Sequence, residues 1–212
     1  MPTQNKQTMN ENSNIKRVGI TGGIGSGKTE AGKILENAGE EVLYADTIAK
    51  EIINTSEKVK SKIKEFFGKN CFDTDGNLNR KKLADIVFDD EESLLLLNSI
   101  VHPEVFKVID DKVEKVKNLG KKLIFIEAAL IFESCMDEKL DFVIVIDAEE
   151  NICKERVYSR DKMSSTQFYK RIRNQISPGD KVKLGDFTIK NNSDLLSLEK
   201  NILFIRDLIY NL

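Results

Sequence analysis

Apolar positions along this chain follow two different periods. Near-continuous apolar runs at residues 123–126 and 142–147, and the shorter apolar run that begins at Val18 within the stretch 15–21, are too short for buried helices and fit strands covered on both faces, as in a parallel sheet. Shorter runs at 41–44 and 187–190 predict two further strands. Elsewhere the apolar residues recur three and four apart. Ala31, Ile34, Leu35 and Ala38 define a helix over 28–38 that Gly39 stops, in the place a C-terminal glycine favours. Leu195, Leu198, Ile202, Ile205 and Ile209 define a closing helix with one apolar side.

From Ile48 to Leu119 the helical period dominates. Val59, Ile63, Phe66 and Phe67 share one face, Leu83, Ile86 and Val87 a second, and Leu94, Leu97 and Val101 a third. His102-Pro103 predicts an interruption, with the proline in the first turn of a new helix that carries Val105, Ile109, Val113 and Val116. Asp73-Thr74-Asp75-Gly76-Asn77 begins like a calcium loop, but Ala84 stands where the twelfth-position glutamate belongs, so a surface turn is expected. Strands alternating with helices predict an α/β fold. A helix over 149–160, a polar break at 161–165 and a basic helix to Gln175 complete the pattern. Residues 1–14 are polar and aperiodic and read as a flexible extension.

Composition narrows the class. With 212 residues, 40% apolar and 32% charged, the chain can bury one substantial core. No apolar run approaches the roughly 18 residues of a membrane span, and the polar start lacks a signal-peptide core, so a cytoplasmic protein without membrane partners is expected. Cys71, Cys135 and Cys153 are too scattered for a metal knuckle and read as reduced thiols. A single histidine argues against zinc. The net charge of −2 and the lack of aromatics among the basic residues argue against nucleic acid. The charge is uneven, however. Between Lys154 and Lys183 nine Lys or Arg stand against three Asp or Glu, a segment suited to anions.

The anion is suggested by residues 18–29. Gly22 to Thr29 fit G-x-x-x-x-G-K-[ST], the phosphate-binding loop, between a predicted strand and a predicted helix. Backbone N–H groups of Gly22, Gly23, Ile24, Gly25, Ser26 and Gly27 can face a polyphosphate, Lys28 can reach its terminal groups, and the Thr29 hydroxyl can ligate Mg²⁺. A helix N-terminus adds its own attraction for anions. Asp46 follows the second strand, where ligands collect in open parallel sheets. It can face the phosphates or cap a helix, and the spacing leaves both open. His102 can be a ligand contact, but its place beside Pro103 favours a packed turn residue. Arg156 and Arg160, four apart on one helical face, can close over phosphates, with Lys181 a weaker candidate.

In combination these motifs resemble the dephospho-coenzyme A kinase family. The resemblance runs from about Arg17 onward through residues 21–28, Ala45-Asp46-x-Ile48-Ala49, Leu97-Asn98-x-Ile100-x-His102-Pro103, Leu130-Ile131-Phe132-Glu133, Arg156-x-x-x-Arg160-Asp161, Arg173-Asn174-Gln175 and Asp186-Phe187-x-Ile189-x-Asn191-Asn192. It implies a P-loop NTPase core with a mainly parallel five-stranded sheet flanked by helices, at 15–46, 121–160 and 184–212. A helical coenzyme-binding insertion at 47–120 and a lid at 161–183 are also implied. The implied reaction moves the γ-phosphoryl of ATP, with Mg²⁺, to the 3′-hydroxyl of the ribose of dephospho-coenzyme A. Asp46, Lys28 and Arg156 would be catalytic. The loop residues through Glu30, with Arg156, Arg160 and Asn191, would hold ATP. Asp46, His102, Leu130, Glu133 and Gln175 would contact the acceptor. A monomer or weak homo-oligomer is expected. The chain departs from the family pattern at Tyr44 (often Asp), Thr29-Glu30 (often Ser-Thr), Lys50 (usually Arg), Ala129 (often Pro) and Ser193 (often Gly). The nearest rival is another small-acceptor kinase, such as a nucleoside monophosphate kinase, which would share the loop and lid.

Overall fold

The computed structural model describes residues 15–87, 90–162, 164–173 and 175–212. The predicted N-terminal extension, and Met163 and Asn174 within the predicted lid, lie outside the described residues. The chain begins with β1 (Lys16–Gly22), α1 (Lys28–Asn37) and β2 (Val42–Tyr44), then passes through α2 (Ala45–Thr55), α3 (Glu57–Phe67), α4 (Arg80–Val87) and α5 (Glu91–Asn118). It returns through β3 (Leu123–Glu127) and β4 (Phe142–Asp147), continues with α6 (Glu150–Asp161), α7 (Ser165–Arg173) and α8 (Pro178–Leu184), and closes with β5 (Phe187–Lys190) and α9 (Leu195–Asn211).

The five strands form one parallel sheet in the order β2-β3-β1-β4-β5. β1 is central, with Gly19 opposite Ile126 of β3 and Val143 of β4. Alternation along the strands sends side chains to two separate cores. Leu123, Phe125, Ile144 and Ile146 join Val18 and Ile20 beneath α1 and α9. Ile124, Ile126, Val143 and Val145 join the buried faces of α2 to α5. Parallel strands need both faces covered, which explains the lack of polar alternation in β3 and β4, whereas the edge strand β5 alternates, with Thr188 and Lys190 exposed.

The predicted break at His102-Pro103 does not occur: α5 runs unbroken from Glu91 to Asn118 with Pro103 inside it. A mid-helix proline costs about 3 kcal/mol. Ile100, Val101, Val105, Ile109, Val113 and Val116 are all buried on both sides of it, each contributing about 1.5–3 kcal/mol. Packing therefore outweighs the lost hydrogen bond. The Asp90 carboxylate accepts from Ser93 N at 3.0 Å and fixes the start of the helix. On α3, Val59, Ile63 and Phe67 are buried as expected, whereas Phe66 points outward. The basic helix stops at Arg173, and α8 follows as a separate element that the charge pattern concealed. The calcium-like stretch is a turn: Asp73 Oδ1 accepts from Asp75 N and Asn77 N.

Candidate active site

β1 ends at Gly22 and α1 begins at Lys28, leaving the glycine-rich loop at the carboxyl edge of the sheet. Gly25 (φ +79°) and Gly27 (φ +102°) occupy left-handed backbone where other residues are strained. Neither has room for a Cβ, which would lie 2.5 Å from the Cys153 carbonyl oxygen at Gly25 and 2.3 Å from Asn191 Nδ2 at Gly27. The loop is braced from the far side of the sheet. Asn191 Nδ2 donates to the Ser26 carbonyl at 2.7 Å, and Arg156 Nη1 approaches the same oxygen at 3.4 Å. Below the loop, Ile24 packs with Cys153 and Val157 of α6 and Phe168 of α7. The first-turn N–H groups of α1 have no intrahelical acceptors and, with the helix dipole, favour an anion.

This loop forms the floor of a cleft of about 710 Å³. Arg156, Asn191, Ser193 and Asp194 enter it from the elements after β4 and β5, Tyr44, Asp46 and Lys50 from the end of β2, and Glu127 and Ala129 from the end of β3, with Ile24, Gly25, Lys28, Thr29 and Glu30 from the loop and α1 between them; Gln175 also lines it. The division follows from the strand order, because β2 and β3 end on one flank of β1 and β4 and β5 on the other. Asp46 lies in the first turn of α2, but the N-cap position belongs to Tyr44 and no side chain caps the helix. The Asp46 carboxylate is exposed to the cleft rather than used as a cap.

Glu127, the last residue of β3, opens the stretch Glu127–Glu133 that the sequence places at a strand end where a site is expected, but no motif gives it a role; the signal is an acid closing an apolar parallel strand beside a phosphate loop. It is 4% exposed, and its Oε1 has no hydrogen-bond partner among the described residues. Burial, partly offset by Lys28 and Lys50 and reinforced by Asp46, pushes its carboxyl up to about 7. Tyr44 donates to Glu36 Oε2 at 2.8 Å, and burial raises its pKa further above the ordinary phenol value. Its ring covers Gly32 of α1.

The cleft thus gathers Ile24, Gly25, Gly27, Lys28, Thr29, Glu30, Asp46, Arg156, Arg160, Gln175 and Asn191 from the predicted site, with Gly22, Gly23 and Ser26 in the loop behind its wall. Arg160 is held by Asp161 through two hydrogen bonds of 2.8 and 2.7 Å. The structure does not bring His102, Leu130 or Glu133 into the wall. The His102 ring lies 6.0 Å from Phe106 on α5, and burial lowers its pKa. Glu133 accepts from Ile176 N at 2.8 Å and pairs with Lys181 Nζ at 2.9 Å. Lys181 does not reach over the loop as expected. It is 1% exposed, and its ammonium also donates to the Ala129 carbonyl at 2.6 Å.

Among the described residues no three His, Cys, Asp or Glu converge on a point that could hold a metal, so the site is not a closed cage. What the cleft offers instead is an exposed Thr29 hydroxyl and the buried, unpartnered oxygen of Glu127. That donor set suits a hard cation completed by phosphate oxygens and water. Among the described residues no helix is long and apolar enough to cross a membrane.

Residues 16–197 match the family model described as dephospho-CoA kinase. A dephospho-CoA kinase of Carboxydothermus hydrogenoformans is 37% identical over 188 residues, covering 89% of this chain and 91% of its own. Among solved structures, TT1252 from Thermus thermophilus superimposes with a TM-score of 0.79 at 28% identity, covering 91% of this chain and 97% of that one. A dephospho-CoA kinase from Campylobacter jejuni gives a TM-score of 0.67 at 28% identity, with 92% and 97% covered. The parallel sheet, the phosphate loop at its centre and a family match over most of the chain lead to one assignment: this chain belongs to the dephospho-CoA kinase family.

Proposed function

We propose that the protein transfers the γ-phosphoryl group of ATP to the 3′-hydroxyl of the ribose of dephospho-CoA, giving CoA and ADP. The observation that carries this reading is the placement of Asp46 and Lys28 in one cleft, beside the phosphate loop. Phosphoryl transfer needs positioning and charge neutralisation more than covalent chemistry.

In this reading the loop amides from Gly22 to Thr29 and the Lys28 ammonium hold the β- and γ-phosphates. Thr29 and, through water, Glu127 would hold Mg²⁺, which supplies charge neutralisation across the phosphate oxygens when bound. Asp46 orients the 3′-hydroxyl and takes its proton as the oxygen bonds to phosphorus. Arg156 already lies against the loop at Ser26, within reach of charge that develops on the transferring group. Arg160 would join it on exchanging Asp161 for phosphate.

Helices α2 to α5 would carry the coenzyme arm, and of the predicted 161–183 lid the part ahead of α8, from Asp161 to Arg173, would close to exclude water, while α8 stays anchored through the buried Lys181. The protein would work in the cytoplasm. The decisive experiment mixes protein, ATP, Mg²⁺ and dephospho-CoA and identifies the products. CoA and ADP in equal amounts are expected. Phosphorylation of AMP with none of dephospho-CoA would transfer the reading to a nucleoside monophosphate kinase.

A further inference from the structure

Lys181 occupies an unusual position for a lysine. It is 1% exposed, on α8, with its ammonium turned inward. Burial works against its charge, lowering its pKa, and the carboxylate of Glu133 works to retain it. Its two hydrogen-bond acceptors are both in the turn that follows β3: the Ala129 carbonyl at 2.6 Å and Glu133 Oε1 at 2.9 Å. The same Glu133 oxygen accepts from the backbone N–H of Ile176 at 2.8 Å. One ammonium and one carboxylate therefore join three chain segments: the turn after β3, the end of the α7–α8 connection, and α8 itself.

Two of those segments face the cleft. Ala129 lines it, as does Gln175, the residue before Ile176. Ala129 follows β3 and so stands on the β2–β3 flank with Asp46, and Gln175 is tied to that flank through the neighbouring Ile176 N–H, which donates to Glu133. The support is firm. A Cβ on Gly185, at the end of α8, would lie 2.4 Å from Val145 Cγ2 of β4, and Asp186 pairs with Val143 through both its backbone N–H and its carboxylate. Lys181 thus projects from a helix seated on the sheet into the back of the wall that the acceptor would meet.

We infer that Lys181, acting with Glu133, is a positioning residue for the phosphoryl acceptor. It locks Ala129 and Gln175 into one wall and touches neither substrate. This rests on the kinase reading above and deepens it. Glu133 then serves the acceptor from behind the wall rather than by contact. A group that works this way controls where the acceptor sits, while the phosphate loop, braced at Ser26 by Arg156 and Asn191 from the other flank, is left intact.

The test uses the full chain with Lys181→Met, Glu133→Gln and the double variant. Kinetics with both substrates are combined with hydrogen exchange of the Ile176 amide. For Lys181→Met we expect the KM for dephospho-CoA to rise about tenfold or more and the KM for ATP to stay within about twofold, with faster exchange at Ile176. The double variant should be little worse than the worse single variant, because the two side chains form one device. If Lys181→Met fails to fold, Lys181→Met with Glu133→Leu removes both buried charges and carries the same measurement. An unchanged KM for dephospho-CoA in the folded variant, or equal rises for both substrates, would overturn the inference. Wild-type turnover with dephospho-CoA tests the kinase reading separately, since the inference depends only on the ratio of variant to wild type.

Discussion

The side-chain amide of Asn191 donates a 2.7 Å hydrogen bond to the carbonyl of Ser26, linking the end of the last strand to the middle of the phosphate loop. The bond is buried, and Asn191 is 6% exposed. It fixes the turn that leaves Gly27 in left-handed backbone at the start of α1. Asn191→Ala removes the donor and leaves Ser26 O, among the described residues, with the long contact from Arg156. We expect a loss of about 1–2 kcal/mol in urea unfolding and a roughly tenfold weaker ATP affinity by calorimetry. Unchanged affinity would show that the loop holds its shape alone.

Asp46 faces the cleft without capping α2, so its removal should cost chemistry more than binding. Asp46→Asn is expected to lower turnover by about two orders of magnitude or more with ATP affinity nearly unchanged. Near-normal turnover would remove Asp46 from the role of base.

Lys28 and Arg156 enter the cleft from two elements, α1 and α6, and their proposed roles should separate kinetically. Lys28→Ala is expected to impair both ATP binding and rate. Arg156→Met should mainly lower kcat, by about 10²–10³-fold, with a smaller change in the KM for ATP. A higher KM for ATP with kcat unchanged for Arg156→Met would assign it to ground-state binding.

Glu127 gives the metal-free, nucleotide-free protein a pH signature. Its carboxyl is pushed from 4.5 up to about 7 in the folded state by burial, so folding favours the protonated form. The associated stability is fully present below about 4.5, declines as the pH rises towards 7 and is gone above it. The slope is about 1.4 kcal/mol per pH unit inside that window. Denaturant titrations in the presence of a chelator should show this decline, and Glu127→Gln should flatten it. A wild-type profile that is already flat would mean the carboxylate is ionised in the folded protein.

Much of this molecule is legible from residue types. The apolar runs and their helical intervals yield five strands and the main helices, because parallel strands buried on both faces carry no competing pattern. The loop is legible because few sequences combine its glycines with Lys28 and Thr29. What escapes is whatever depends on direction and depth. Lys181 belongs to a basic stretch, and only packing shows that its ammonium points inward to Glu133 and Ala129. Pro103 carries a local signal to stop a helix, which the burial of Ile100, Val101 and Val105 overrides. Glu127 looks like the polar end of a strand until its burial and its unpartnered oxygen are seen.

The central strand is the first to be made, and both of its neighbours lie more than a hundred residues downstream, as does Asn191. A ribosome adding about 5–20 residues per second would need roughly ten to thirty seconds to reach Asn191 after the phosphate loop has emerged. During that interval the nascent chain carries the loop motif without the sheet that shapes it. Grip on nucleotide would then arrive late and all at once, so an unfinished chain or one cut short before its last strand would not sequester ATP.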